Sequence, residues 1–442
     1  MILEDYINSY SDKYYDKIAV IDQTAQLTYA QLWQRISSRS ESWKMHIEKN
    51  SSVVLRAEQT ADFLIDYFAI HLAGGVAVPL EKDIPESQIK QIQNTLKGID
   101  IPHQAADILF TTGTTGQSKG VMISHDTILA DAENLVEGLE FKHDTTFIIN
   151  GPLNHIGSLS KVYPSVRQGA TIVVLNGMKD LNRFFYAIDC AENKVATFLV
   201  PATIRMLLHF AEDKLKEYGD KIDFIETGAA PMPHQDMLRL CEILPNTRLY
   251  NTYASTETGI ISTYNFNDGK CIPGCLGKPM SNSQIHITPE GRIACSGKTL
   301  MMGYAGDKEM TDNVLKDGIL YTADIGELDS EGMLHLKGRE DDVINVGGFK
   351  VAPTEVEDIA MEHSMVKDCI CIQAEHPLLG TQLKLLVVTT DNQPLDKKSI
   401  AIHLKTKLEA FKIPTAYQQV DSIERTYNGK LNRKFYRQPF QK

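Results

Sequence analysis

Residues 111–120 read Thr111-Thr112-Gly113-Thr114-Thr115-Gly116-Gln117-Ser118-Lys119-Gly120, with five hydroxyl side chains, three glycines and one lysine in ten positions. Glycine admits positive φ and lets a backbone approach a ligand closely. Exposed N–H groups, hydroxyls and a lysine are what a polyphosphate needs around it. The spacing Gly113-x-x-Gly116-x-x-Lys119 is not that of a Walker A loop, which opens a helix. β-prone runs at 106–110 and 121–125 flank the segment, which predicts a loop between strands. A Ser/Thr/Gly-rich surface turn has the same composition, so the assignment depends on the rest of the chain.

Four later segments carry chemistry of a related kind. Tyr253-Ala254-Ser255-Thr256-Glu257-Thr258-Gly259 follows a strand-like run. There Tyr253 can stack on a base, Thr256 can donate to a phosphate and Glu257 can hold Mg²⁺. A polar turn with a helix N-cap is the alternative. In Tyr321-Thr322-Ala323-Asp324-Ile325-Gly326 the lone aspartate can accept from both hydroxyls of a ribose, or it forms an Asx turn. Residues 338–350 hold Arg339, Asp341 and the pair Gly347-Gly348 in a charged cluster, suited to an interdomain joint or to a solvated linker. In Thr426-Tyr427-Asn428-Gly429-Lys430-Leu431-Asn432-Arg433, Asn-Gly marks a tight turn that puts Lys430 at a tip, where a lysine is most often simply solvated.

The five segments in this order resemble the adenylate-forming superfamily, which includes acyl-CoA synthetases, adenylation domains and luciferases. The resemblance covers nearly the whole chain. It implies that Thr111, Thr112, Gly113, Thr114, Thr115, Gly116 and Lys119 hold the ATP β- and γ-phosphates. It implies that Tyr253 stacks on adenine, Thr256 contacts the α-phosphate and Glu257 binds Mg²⁺. Gly228-Ala229-Ala230 resembles the loop lining the adenine and acyl pockets, and Asp324 and Arg339 match the ribose contacts. Asp341 matches the hinge, Lys430 the lysine needed for adenylation, and Gly347 and Gly348 the thiol tunnel. His155, Gly157, Ala254 and Ser255 fall where the family lines its acid pocket. Two departures stand out. Ser118 replaces the commoner proline, and the phosphate loop starts early, as if one βα unit before it were absent.

The chemistry so implied is a two-step, AMP-forming ligation. A carboxylate attacks the ATP α-phosphate, and a thiol then displaces AMP from the acyl-AMP. Between Asn150 and Tyr163 no aspartate is present to pair with a substrate ammonium. A buried ammonium without a counter-ion is costly, so a fatty or aryl acid is expected rather than an α-amino acid. CoA is the expected thiol. Alternatives are a carrier-protein phosphopantetheine as acceptor, and a non-catalytic nucleotide-binding relative.

The elements that must position these residues follow from periodicity. Val53–Ala57, a helix-like Asp62–Leu72 and Val76–Pro79 give a βαβ signal, and Glu86–Leu96 reads as a further helix. Short β-prone runs alternate with helical stretches as far as Tyr253, which implies mainly parallel sheets covered by helices. From about Ile285 to Lys337 turn signals separate short strands, which predicts a small antiparallel subdomain. The tail reads as a small α+β module. In it Cys369–Gln373 pairs with Leu383–Thr389, Cys369 and Cys371 point to one buried face, and a helix runs over Ile400–Phe411. The expected fold is therefore α/β: a large domain over 1–340 of two stacked, mainly parallel sheets plus the antiparallel subdomain, then a mobile lid over 341–442.

At 442 residues the chain exceeds one ordinary domain, and 43% hydrophobic with 23% charged residues suits a globular protein. A net charge of −12 disfavours a nucleic-acid surface. No apolar run reaches a membrane span, and the first residues lack a signal-peptide pattern. Seven scattered cysteines suit free thiols. A cytoplasmic monomer or homodimer is the expectation.

Overall fold

The computed structural model describes residues 1–112, 118–346, 349–376, 380–426 and 431–437. Two sheets dominate the large region. The smaller has the order Gly303–Tyr304, Ser118–Ser124, Ala105–Thr112, Val76–Leu80, Ser52–Arg56. Its last three strands are parallel, and the first two are added antiparallel. Helix Ala61–Leu72 makes the first crossover. Thr60 caps it by accepting from the Phe63 N–H, and nine of its twelve residues are buried. A sequence apolar on all sides requires that enclosure. One helix, Glu86–Leu96, connects Val76–Leu80 to Ala105–Thr112, so Thr111 comes early in the chain.

The larger sheet runs parallel through Ile18–Ile21, Thr171–Val174, Thr146–Ile149, Val195–Phe198, Ile222–Gly228 and Arg248–Ser255. It turns antiparallel at Gly259–Asn265. The strands expected as a small antiparallel subdomain do pair antiparallel, and they join this sheet at its edge. Cys275–Pro279 pairs with Gly259–Asn265 on one side and with Leu334–Arg339 on the other. Helices Ala61–Leu72, His125–Gly138 and Val162–Gln168 lie between the two sheets and share one core with Leu109, Phe147 and Ile172. Helices Leu181–Cys190, Pro201–Phe210 and His234–Ile243 cover the other face of the larger sheet. Each Leu or Phe buried there contributes roughly 1.5–3 kcal/mol relative to exposure.

The C-terminal module has its own core. Val366–His376 and Gly380–Thr389 form the expected hairpin, with Cys369 opposite Val387 and Gln373 opposite Leu383, and Ala416–Gln419 adds a parallel strand. Cys369 and Cys371 are buried. The helix expected to reach Phe411 ends at Lys405. There the Thr406 hydroxyl donates to the His403 carbonyl, and Ala410–Lys412 forms a separate 3-10 turn. Helix Pro353–Met361 meets the large region where the Thr354 hydroxyl donates to the Lys337 carbonyl at 3.3 Å. Arg205 and Asp368 pair across the same boundary at 3.7 Å.

One polar cluster interrupts the apolar core between the sheets. His71 Nδ1 lies 2.8 Å from Glu4 Oε1, and its Nε2 lies 3.0 Å from Asp107 Oδ1. Tyr67 donates to Asp107 Oδ2 at 2.9 Å. Burial opposes a charge on His71, but the Glu4 and Asp107 carboxylates outweigh it and push the imidazole up to about 10. Among the described residues, no helix is long and apolar enough to cross a membrane, and all seven cysteines are free.

Candidate functional site

The strands that flank the Thr/Gly segment reach further into it than expected, taking in Thr111, Thr112 and 118–120, and 113–117 lie outside the described residues. Ala105–Thr112 and Ser118–Ser124 pair antiparallel, with Thr111 opposite Lys119. The Lys119 ammonium lies 5.2 Å from the centre of the Tyr304 ring. Tyr304 is held by pairing of Gly303–Tyr304 with Val121 and Met122. Its hydroxyl donates to Glu257 Oε1 at 3.1 Å. Burial, reinforced by Glu257, pushes that phenol up, so it stays a donor. Lysine, phenol and carboxylate thus converge from three distant stretches of chain.

Glu257 lies on the turn between Arg248–Ser255 and Gly259–Asn265. No helix begins there, which removes the N-cap alternative. Instead the Thr258 N–H donates to Ser255 Oγ and the Ser255 N–H donates to Thr258 Oγ1, both at 3.0 Å. These two bonds close the turn that carries Thr256 and Glu257, both half-buried. Gly259 is required at its exit. Its φ is +67°, and a Cβ would meet the Thr299 carbonyl at 2.5 Å and Asp131 Oδ1 at 2.7 Å.

Four residues before Glu257, the Tyr253 hydroxyl donates to Asp324 Oδ2 at 2.8 Å. Arg339 Nη1 donates to the other oxygen of that carboxylate, also at 2.8 Å. Sheet register makes this contact, because Asp324 and Arg339 are direct partners across Ile319–Leu328 and Leu334–Arg339. The Asx-turn alternative fails for Asp324, since its two oxygens accept from Tyr253 and Arg339 and, among the described residues, from no backbone N–H. Tyr253 is 6% exposed, and burial followed by Asp324 pushes its phenol well up. Arg339 Nη2 lies 4.0 Å from Asp341 Oδ2, in the 3-10 turn Glu340–Asp342 that leads into the C-terminal module.

Gly228 ends Ile222–Gly228, where a Cβ would meet the Thr252 carbonyl at 2.8 Å. Ala229 follows in the left-handed region at φ +67°. For a residue with a Cβ such a conformation costs of order 1–3 kcal/mol, a type of strain concentrated at functional loops. Gly157, in the short helix Ile156–Leu159 that follows His155, faces Phe198, whose ring would sit 3.3 Å from a Cβ there. The same ring lies 3.6 Å from a Cβ built on Gly228. Phe198, which carried no signal in the sequence, therefore separates the two glycine-lined segments. Behind it the Lys161 ammonium lies 4.9 Å from the ring centre and 2.7 Å from Glu226 Oε1. Gly113, Thr114, Thr115, Gly116, Gly347, Gly348 and Lys430 lie outside the described residues, as does the side chain of Thr112.

A family model described as AMP-binding enzyme matches residues 8–99 and 97–305, and one described as AMP-binding enzyme C-terminal domain matches 355–430. The chain belongs to the AMP-binding enzyme family. Long-chain-fatty-acid–CoA ligase of Bacillus subtilis is 29% identical over 356 residues, covering 77% of this chain and 62% of that protein. The match thus spans less than two thirds of that ligase. VraA of Staphylococcus epidermidis, provisionally named a long chain fatty acid–CoA ligase, is 25% identical with 99% of this chain and 98% of that protein covered. Among solved structures, ATP-bound MatB from Rhodopseudomonas palustris has the same fold, with a TM-score of 0.88 at 23% identity over 99% of each chain.

For an AMP-binding enzyme the donor set fits Mg²⁺ and ATP. Glu257 Oε2 has no hydrogen bond among the described residues, which leaves a hard oxygen for a hard cation. Lys119 stands beside it as a compact positive charge. One contributor escaped the motifs, and another stood in one without an assigned role. Tyr304, which joins Lys119 to Glu257, sits on a two-residue strand with no periodic signal. Arg433, in the last motif, grips Glu357 through two bonds of 2.8 and 2.6 Å and Asp342 at 3.3 Å, tying the chain beyond Lys430 to the turn Glu340–Asp342.

Proposed function

We propose that this AMP-binding enzyme is an acid–CoA ligase that joins a non-amino carboxylic acid, fatty or aryl, to CoA through acyl-AMP. The observation that carries the reading is the convergence of Lys119, Tyr304 and Glu257 beside the chain of bonds from Tyr253 through Asp324 to Arg339. Mg²⁺ on Glu257 supplies charge neutralisation at the phosphates. Lys119 faces the pyrophosphate side, where its charge opposes the repulsion between incoming carboxylate and polyphosphate. Asp324, fixed by Tyr253 and Arg339, presents its remaining lone pairs to the ribose hydroxyls. Tyr253, 6% exposed, would meet adenine only along the edge that this burial leaves, and Thr256 faces the α-phosphate. Gly157, His155, Gly228, Ala229, Ala230, Ala254 and Ser255 line the acid pocket, with Phe198 as its wall. Residues 1–340 carry this site and 341–442 form the lid, turning about Asp341 so that Lys430 serves the first step and Gly347-Gly348 the thiol of the second.

A panel of fatty and aryl acids tests this reading through acid-dependent exchange of pyrophosphate into ATP, run with and without CoA. At least one acid should support exchange, and CoA should yield AMP and a thioester. Exchange without transfer to CoA would shift the assignment to a carrier-protein phosphopantetheine. No exchange with any acid would favour a nucleotide-binding relative without catalysis.

Asp324→Ala should raise KM for ATP about 10- to 150-fold, the equivalent of about 1.5–3 kcal/mol for a lost charged hydrogen bond. The KM for the acid should change far less. An unchanged KM for ATP, read in the same exchange assay, would remove Asp324 from the nucleotide site.

A further inference from the structure

The buried cluster around His71 lies apart from the nucleotide residues and has no part in the proposed reaction. Glu4, on helix Glu4–Lys13, and His71 each have side chains 1% exposed. Glu4 Oε2 is buried and has no hydrogen-bond partner. His125 opens helix His125–Gly138, and its ring centre lies 5.1 Å from that of His71 at an interplanar angle of 82°. One ligand atom from each of Glu4, His71 and His125 lies within 4.8 Å of the other two. Asp107 accepts from the opposite nitrogen of His71 and is itself fixed by Tyr67.

We propose that Glu4, His71 and His125 form a structural site for one divalent metal of the zinc class, with Asp107 as the outer carboxylate that orients His71. Three observations carry this. First, Nε2 of His71 bonded to a carboxylate leaves Nδ1 as the coordinating nitrogen, the usual partner arrangement of metal-bound histidine. Second, a buried carboxylate oxygen without a donor is costly, and Oε2 faces that cost unless a cation takes it. Third, charge balances. Glu4 and Asp107 carry two negative charges, and among the described residues no Lys or Arg nitrogen bonds either of them. A divalent ion with two neutral imidazoles cancels both, whereas an imidazolium cancels one. Binding displaces the Nδ1 proton to solvent. Two histidine nitrogens and a carboxylate suit Zn²⁺, with a water or the second Glu4 oxygen as fourth ligand. The ion would staple the first helix to helix Ala61–Leu72 and to the start of His125–Gly138, beneath the strand that leads to Thr111.

Metal content and Co²⁺ binding of the full chain, prepared without a histidine tag, test this. The purified protein should hold about one zinc per chain. The chelated protein should take up one Co²⁺ with visible d–d bands of a four-coordinate N/O site, and Zn²⁺ should raise its melting temperature. His125→Phe should abolish the bands and the thermal shift while leaving acid-dependent exchange intact, because His125 holds neither carboxylate. Were His125→Phe not to fold, Glu4→Gln with the wild-type titration decides the matter. Absence of Co²⁺ bands in the wild type, or equal binding by wild type and variant, would overturn the site and leave an imidazolium clamp alone.

Discussion

Replacing Lys430 by alanine should abolish acid-dependent exchange of pyrophosphate into ATP while sparing thioester formation from supplied acyl-AMP. The expected loss in the first step is at least about 10²–10³-fold, the scale on which a single pre-placed electrostatic group acts at a developing charge. The reason lies in the two steps. In the first, an anionic carboxylate must approach an anionic α-phosphate, and positive charge has to be in place beforehand. In the second, a thiol attacks a mixed anhydride and AMP departs, with no pyrophosphate to neutralise. The described residues on either side of 427–430 are themselves tied down. Arg425 and Leu431 bridge backbone to backbone on either side of its loop, and Arg433 is clamped to Glu357 and Asp342. Stopped-flow or radiolabel assays of the two half-reactions read the split directly. Equal loss in both would place Lys430 in folding or in general binding. Wild-type exchange would remove it from the first step.

What the sequence made legible was local. The strands on either side of Thr111–Gly120 were signalled by β-prone runs, and helix Glu86–Leu96 by its apolar spacing. Tyr253 and Asp324 were visible as polar residues after strand-like runs, although Asp324 in fact lies within Ile319–Leu328, and Arg339 was visible only as part of a charged cluster. That they touch is a matter of register: Asp324 faces Arg339 because two strands pair one way and not one residue off. The antiparallel strands were legible as strands, but their continuity with the parallel sheet was not, since it depends on Cys275–Pro279 pairing on both edges. Tyr304, Phe198, Lys161 and Glu226 left no trace, for a related reason. Each acts through a partner far away in the chain, and periodicity reports only neighbours within a turn or a strand. His71 is the sharpest case. In Ala61–Leu72 it stands in an apolar helix as an apparent mismatch, and only folding brings Glu4 and Asp107 to its two nitrogens.

Lys161→Met should destabilise the protein by about 3–5 kcal/mol, the usual consequence of breaking a buried ion pair from one side. Lys161 and Glu226 have side chains 1% and 0% exposed, and their 2.7 Å contact is the one hydrogen bond that the Glu226 carboxylate makes among the described residues. Its other oxygen, Oε2, is already without a donor. Methionine would keep the apolar stem of lysine and remove the charge, stranding a carboxylate in the core behind Phe198. Glu226 must then protonate or draw water into a site built without it. Pairing the change with Glu226→Gln should recover much of the loss, because the stranded charge goes with it. Urea unfolding at neutral pH measures both. A single variant within about 1 kcal/mol of wild type, the range of exposed pairs, would mean that water already screens the contact. The same variants bear on the acid pocket. The Lys161 ammonium is 4.9 Å from the Phe198 ring centre, and that ring is the wall between Gly157 and Gly228. Loss of the cation should loosen the ring, so KM for the acid should rise while KM for ATP, which the proposal assigns to the separate Asp324 cluster, stays near its wild-type value.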